Sequence, residues 1–80
     1  MKELVLFSSK ACCLCDEAMS LIERSALKQS LSIKKVDIYT DKQLLIRYRT
    51  TIPVVRDVQS ESEIGWPFDI DSFDSWLRSL

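Results

Sequence analysis

Apolar residues recur along this chain of 80 residues with two periods, close to 2 in some stretches and close to 3.6 in others. Leu4, Val5, Leu6 and Phe7 form a short continuous apolar run, so Glu3 to Phe7 is predicted as a strand buried on both faces. Ser8 to Ala11 read as a loop. From Cys13 to Gln29 the apolar positions Leu14, Ala18, Leu21, Ile22 and Ala26 follow i, i+4, i+7, i+8, i+12, the pattern of a helix with one buried face. Ser30 to Ile38 is predicted as a strand, although its alternation slips at Lys34-Lys35. Thr40 and Gln43 stand at capping-box spacing, with Thr40 as N-cap of a short helix reaching Tyr48. Pro53 to Asp57 and Glu61 to Trp66 are predicted as two short strands around a turn at Val58-Gln59-Ser60. Asp69 or Asp71 caps a last helix whose apolar stripe is Ile70, Phe73, Leu77 and Leu80.

The predicted order is β-α-β-α-β-β-α, an α/β class. A crossover that contains a long helix makes its two strands parallel, with a right-handed connection. The last two strands are expected as an antiparallel hairpin. The result is a four-stranded mixed sheet flanked by three helices, with residues 1–80 forming one domain.

Charge narrows the partners. Eleven Lys and Arg against twelve Asp and Glu give a formal net charge of −1, and the basic residues are scattered, so no nucleic-acid surface is expected. No stretch approaches the roughly 20 apolar residues of a membrane span. The N-terminus lacks the apolar run of about 7–15 residues of a secretory signal. The expected location is therefore cytoplasmic, and the expected state a monomer. In a reducing compartment clustered thiols point to catalysis or metal binding rather than to a disulfide framework.

Those thiols are Cys12, Cys13 and Cys15, at the predicted start of the first helix. Positions three apart share a helix face, so the sulfurs of Cys12 and Cys15 can close a disulfide or share a metal. A thiol at a helix N-terminus meets unpaired backbone N–H groups and the positive end of the dipole, and both favour the thiolate. Cys13 points about 100° away from Cys12 around the helix axis and cannot simply replace Cys15. It reads as a partly exposed bystander, an alternative thiol, or a third metal ligand. Three thiolates in four residues also suit Cu(I), Zn(II) or an iron–sulfur centre, using Cys12, Cys13 and Cys15. No histidine and no fourth cysteine exists to close such a site, so it would need a second chain or glutathione.

A C-x-x-C after the first strand of a βαβ unit resembles the thioredoxin-like redox signature, and the element order resembles the thioredoxin fold in its minimal form. The chain resembles a family of short glutaredoxin-like domains of poorly defined function. Cys12-Cys13-Leu14-Cys15-Asp16-Glu17-Ala18, Ile52-Pro53-Val54-Val55-Arg56-Asp57 and Trp66-Pro67-Phe68-Asp69 carry the likeness, in the family's order. Thr51-Ile52-Pro53 resembles the Thr-Val-Pro segment of glutaredoxins, which implies a cis Ile52–Pro53 bond. The residues alone also allow a trans proline opening an edge strand. True glutaredoxins differ in three places. Their Cys-Pro-Tyr-Cys centre is replaced, their Gly-Gly-Cys-Asp-like segment gives way to Gly65-Trp66-Pro67-Phe68-Asp69, and their lysine three residues before the first cysteine is Ser9, with Lys10 displaced by one.

The resemblance implies a thiol–disulfide oxidoreductase, with Cys12 as nucleophile and Cys15 as resolving thiol. Thr51, Ile52 and Pro53 would align the substrate, and Lys10 would either favour the Cys12 thiolate or simply be solvated. The implied partner is a disulfide-containing protein or small thiol. No resident cofactor or metal is implied, and glutathione is a candidate co-substrate. Trp66, Phe68, Phe73 and Trp76 are expected as core packing or, exposed, as a partner surface. Asp69, Asp71 and Asp74 are read as caps and first-turn acids. Glu61 and Glu63 are read as guards of an edge strand.

Overall fold

The computed structural model describes residues 2–10 and 12–80. Ala11, the end of the expected loop after the first strand, lies outside the described residues, as does Met1. The described residues form strand β1 (Lys2–Ser8), helix α1 (Cys13–Glu23), β2 (Leu31–Asp37), α2 (Lys42–Tyr48), β3 (Val54–Asp57), β4 (Glu63–Gly65) and α3 (Ile70–Ser79). The strands lie side by side in the order β2-β1-β3-β4. β1 runs parallel to β2, with Leu4 opposite Ile33 and Phe7 opposite Val36. β3 is antiparallel to both β1 and β4.

The continuous apolar run explains why β1 is central. Side chains alternate across a strand, so Leu4 and Leu6 serve one face, and Val5 and Phe7 the other. The first face carries the larger core, in which Leu4, Leu6 and Val55 pack under Ala18, Leu21 and Ile22 of α1 and Phe73 and Leu77 of α3. The second face has the smaller core of Phe7, Ile38, Tyr48 and Val54, with Leu44, Leu45 and Ile52 packed against it.

Local polar chemistry moves several boundaries. The first helix stops at Glu23 instead of running to Gln29. Ser25 Oγ accepts from Leu27 N–H at 3.1 Å and donates to Asp74 Oδ1 at 2.5 Å, so the chain turns to serve α3. Ala26, expected on the buried stripe, is exposed for that reason. The N-cap of α2 is Asp41, not Thr40. Its carboxylate accepts from Gln43 and Leu44 N–H, while Thr40 Oγ1 donates to Asp37 O from a 3-10 turn at Ile38–Thr40. The β3–β4 connection is longer than the three-residue turn expected. Asp57 Oδ2 accepts from both Ser60 N–H and Ser60 Oγ, at 3.0 and 2.6 Å, and the chain winds around that carboxylate. Glu61 takes a positive φ of 65° there, before β4 begins at Glu63. α3 begins at its predicted cap, with Asp69 Oδ1 accepting from Ser72 N–H at 2.7 Å. Asp74, expected as a first-turn acid, is instead buried as the partner of Ser25.

Candidate active site at the Cys12 end of the sheet

Three segments meet where β1 ends. The chain leaves β1 at Ser8, which is buried, and the Cys12 N–H donates to Ser9 O at 3.2 Å. Cys12 is the N-cap of α1, with extended backbone angles of φ −96° and ψ 100°. Its Sγ accepts a hydrogen bond from Cys15 N–H at 3.2 Å, so a sulfur fills the role that a Ser, Thr or Asp oxygen takes in an ordinary cap. Cys12 and Cys15 are joined as a disulfide, with Cα atoms 5.3 Å apart. Cys15 is fully buried, Cys12 is half-buried, and Cys13 is an exposed free thiol. Among the described residues no three His, Cys, Asp or Glu side chains group as metal ligands.

The second segment is the loop from α2 into β3. Phe7 pairs with Val54, the first residue of β3, so the buried Pro53 that precedes it enters the sheet at the end of β1 from which the chain runs on to Cys12. The Ile52–Pro53 bond is cis, as is Trp66–Pro67. Thr51 and Ile52 N–H both donate to Tyr48 O, at 3.0 and 3.1 Å, and Thr51 Oγ1 donates to the same carbonyl at 3.3 Å. The loop's donors thus point into the protein. Thr51 is exposed and Ile52 half-buried. The third segment follows β4, where Trp66 N–H donates to Pro53 O at 3.0 Å.

Lys10 stands exposed in the loop before Cys12. It lines a cavity of about 470 Å³ with Ser9, Asp37, Tyr39 and Thr40. Another cavity of about 470 Å³ runs along α1 between Asp16, Glu17, Ser20, Leu21, Arg24 and Trp66. Asp16 also meets Lys35 of β2 at 3.7 Å, an exposed pair. The aromatic residues near the C-terminus make a packed series. Trp66 meets Phe68 edge-on at 5.1 Å, Phe68 stacks on Phe73 at 5.6 Å, and Trp76 lies 6.0 Å beyond. Trp76 also donates from Nε1 to Ser62 Oγ at 3.0 Å.

Spacing alone missed a polar group behind this site. Tyr48 O–H donates to Glu63 Oε2, and Arg56 Nη1 donates to the phenol oxygen at 3.4 Å. Arg56 also pairs with Glu61 at 3.2 Å and Glu63 at 3.5 Å. Glu63, on the edge strand β4, is thus also a partner of Tyr48 and Arg56. Burial, then the bond to Glu63, raises the Tyr48 pKa above its ordinary value. The cross-strand pairing of Arg56 with Glu63 was the available signal, but it needs the β3–β4 register.

A C-x-x-C pair at disulfide distance, at the start of the helix after the first strand of a β-α-β unit, is compatible with a redox role, and the sheet order with its flanking helices is that of the thioredoxin fold. The sequence model described as "Glutaredoxin-like domain (DUF836)" matches residues 3–78, and the chain belongs to that family. The chain is similar to target protein XcR50 from X. campestris, with 31% identity. The X-ray structure of that protein gives a TM-score of 0.83 over 96% of this chain and 97% of that one. Its solution structure gives 0.80 over 100% and 96%. Thioredoxin 1 from the thermophilic eubacterium Thermosipho africanus TCF52B shares the fold, with a TM-score of 0.63 at 16% identity over 96% of each chain. No curated protein matches the sequence. No helix among the described residues is long and apolar enough to cross a membrane.

Proposed function

We propose that the protein is a thiol–disulfide oxidoreductase in which Cys12 attacks and Cys15 resolves. The observation that carries this reading is the cap of α1, where Cys12 Sγ sits at the helix start and receives the Cys15 N–H. In the reduced protein the same N–H and the helix dipole would stabilise a Cys12 thiolate. That thiolate attacks one sulfur of a substrate disulfide, forms a Cys12 mixed disulfide and expels the other sulfur as thiolate. The Cys15 thiolate then attacks Cys12 Sγ, closes the intramolecular disulfide and expels the reduced substrate. Two electrons pass from the dithiol to the substrate. An external thiol must return them for turnover, and glutathione is one candidate. An extended segment on either side of the substrate cysteine would lie along Thr51, Ile52 and Pro53. With the Ile52 N–H held by Tyr48 and the Pro53 carbonyl taken by Trp66 N–H, the Thr51 and Ile52 carbonyls are the groups that would accept from it. Lys10, exposed in the loop before Cys12, would favour the thiolate by its charge.

Cys12→Ser should end reduction of a disulfide substrate, and Cys15→Ser should accumulate the mixed disulfide, visible by mass spectrometry. Full activity in Cys12→Ser removes the mechanism. Peptide mapping of the oxidised protein should show the Cys12–Cys15 pair with Cys13 free; a dominant bond to Cys13 contradicts the assigned roles. Parallel assays coupled to glutathione and to thioredoxin reductase would name the class of reductant.

A further inference from the structure

Tyr48 takes no part in the exchange chemistry, but it ties the parts of the site together. It is only 3% exposed. Its ring stacks on Phe7, one residue before the chain leaves β1 at Ser8, with 4.3 Å between centroids and 15° between planes. Its hydroxyl is held by Glu63 of β4 and Arg56 of β3, and the Arg47 guanidinium lies over its ring at 5.3 Å. Its carbonyl receives the N–H groups of Thr51 and Ile52 and the hydroxyl of Thr51. Packing alone would be served by phenylalanine. A buried phenol is tolerated only where partners meet its oxygen, and here two strands supply them.

We propose that Tyr48 is a positioning residue for the disulfide substrate. Its hydroxyl, fixed by Glu63 and Arg56, sets where the Tyr48 carbonyl stands, and that carbonyl sets the Thr51–Pro53 loop against Cys12. This role depends on the exchange reaction proposed above, because the loop matters only if a substrate segment lies along it. Loss of the hydroxyl loosens the loop without touching either sulfur. The consequence is weaker binding of an extended substrate, with the Cys12 thiolate intact.

The test compares wild type, Tyr48→Phe, Glu63→Ala and Glu63→Gln. The probe is a short peptide whose cysteine is joined by a disulfide to 2-nitro-5-thiobenzoate, with dithiothreitol as reductant. Tyr48→Phe should raise KM about tenfold, the scale of one charge-assisted hydrogen bond, with kcat within about twofold. Alkylation of Cys12 by iodoacetamide in the reduced protein should keep its rate. Glu63→Ala should follow Tyr48→Phe, while Glu63→Gln keeps an acceptor for the phenol and should recover most of the KM. An unchanged KM in Tyr48→Phe overturns the proposal. So does a joint fall of kcat and alkylation rate, which is the mark of a merely structural role. An active wild type with an unmoved KM thus separates failure of this role from failure of the exchange reading, which shows as an inactive wild type. Amide exchange reads the tether itself, independently of activity. Faster exchange at Thr51 and Ile52 in Tyr48→Phe supports the tether, and unchanged exchange removes it.

Discussion

On one face of the sheet α1 and α3 cover Leu4, Leu6 and Val55 with a continuous apolar layer that includes Phe73 at 0% exposure. On the other face the single seven-residue helix α2 covers Phe7 and Val54, and its last residue, Tyr48, ends in a polar network. The first face is held by apolar area, which is non-directional and scales with surface removed from water. The second has a smaller apolar cluster, and the bonds at the Tyr48 hydroxyl fix angles as well as distances there. Both faces abut the cysteines, but in different ways. The first face buries Cys15 beneath its helix, and the second carries the loop that would receive the substrate.

Phe73→Ala attacks the first face most directly. It should cost about 3–5 kcal/mol in urea unfolding, through lost transfer energy and the cavity left behind. Leu44→Ala, at a half-buried position on the second face, should cost clearly less. Equal losses would erase the contrast between the faces. Next comes Ser25→Ala, which leaves the buried Asp74 carboxylate without its hydroxyl donor. A loss of about 1–3 kcal/mol is expected. A double-mutant cycle with Asp74→Ala should recover part of it, and strict additivity would show that the bond contributes nothing.

The two faces should also fail at opposite ends of the pH scale. The bond from the Ser60 hydroxyl, reinforced by the Ser60 N–H and opposed by burial, lowers the pKa of Asp57, which shares its side of β3 with Val55. A depressed carboxylate stabilises the fold above its ordinary pKa of about 4 and loses that contribution as pH falls through the lower folded value. The raised pKa of Tyr48 has the reverse sign. Its contribution is complete below the ordinary tyrosine value of about 10 and is lost as pH rises through the folded one. Arg47 and Arg56 face that phenol as cations and Glu63 as an anion, with Glu61 one step away on Arg56. Thermal unfolding of wild type and Tyr48→Phe across pH 9–11.5 should converge as the phenol ionises; a constant gap would contradict the shift. The smallest effect is expected for Lys35→Ala. Its exposed pair with Asp16 should be worth less than about 1 kcal/mol, which a denaturation midpoint can bound.

Much of this architecture was legible in the residue pattern. The apolar run at Leu4 to Phe7 marked the central strand, the 3.6-period stripe marked α1 through Ala18, Leu21 and Ile22 although Leu14 at its start is exposed, and Asp69 with Ile70, Phe73 and Leu77 marked α3. Periodicity reports which way side chains face, and burial enforces it. The same reasoning overran at Ala26, where one buried serine ended the helix early to reach Asp74, and at Thr40, where the next residue offered a better cap. The first outcome depends on a contact between residues as far apart as Ser25 and Asp74, and the second on a local choice between neighbouring caps.

The site divides in the same way. Cys12 and Cys15 three positions apart, behind a strand and ahead of an amphipathic stretch, were enough to place two sulfurs within bonding reach, because helix geometry relates them locally. The sequence by itself therefore determined the class of fold and the pair of sulfurs. Only the tertiary structure decided that Glu63 and Arg56 meet the Tyr48 hydroxyl, and that Tyr48 in turn holds the loop of Thr51, Ile52 and Pro53. Strand register and helix docking bring those residues together, and both are set by the summed packing of the whole chain rather than by any local spacing.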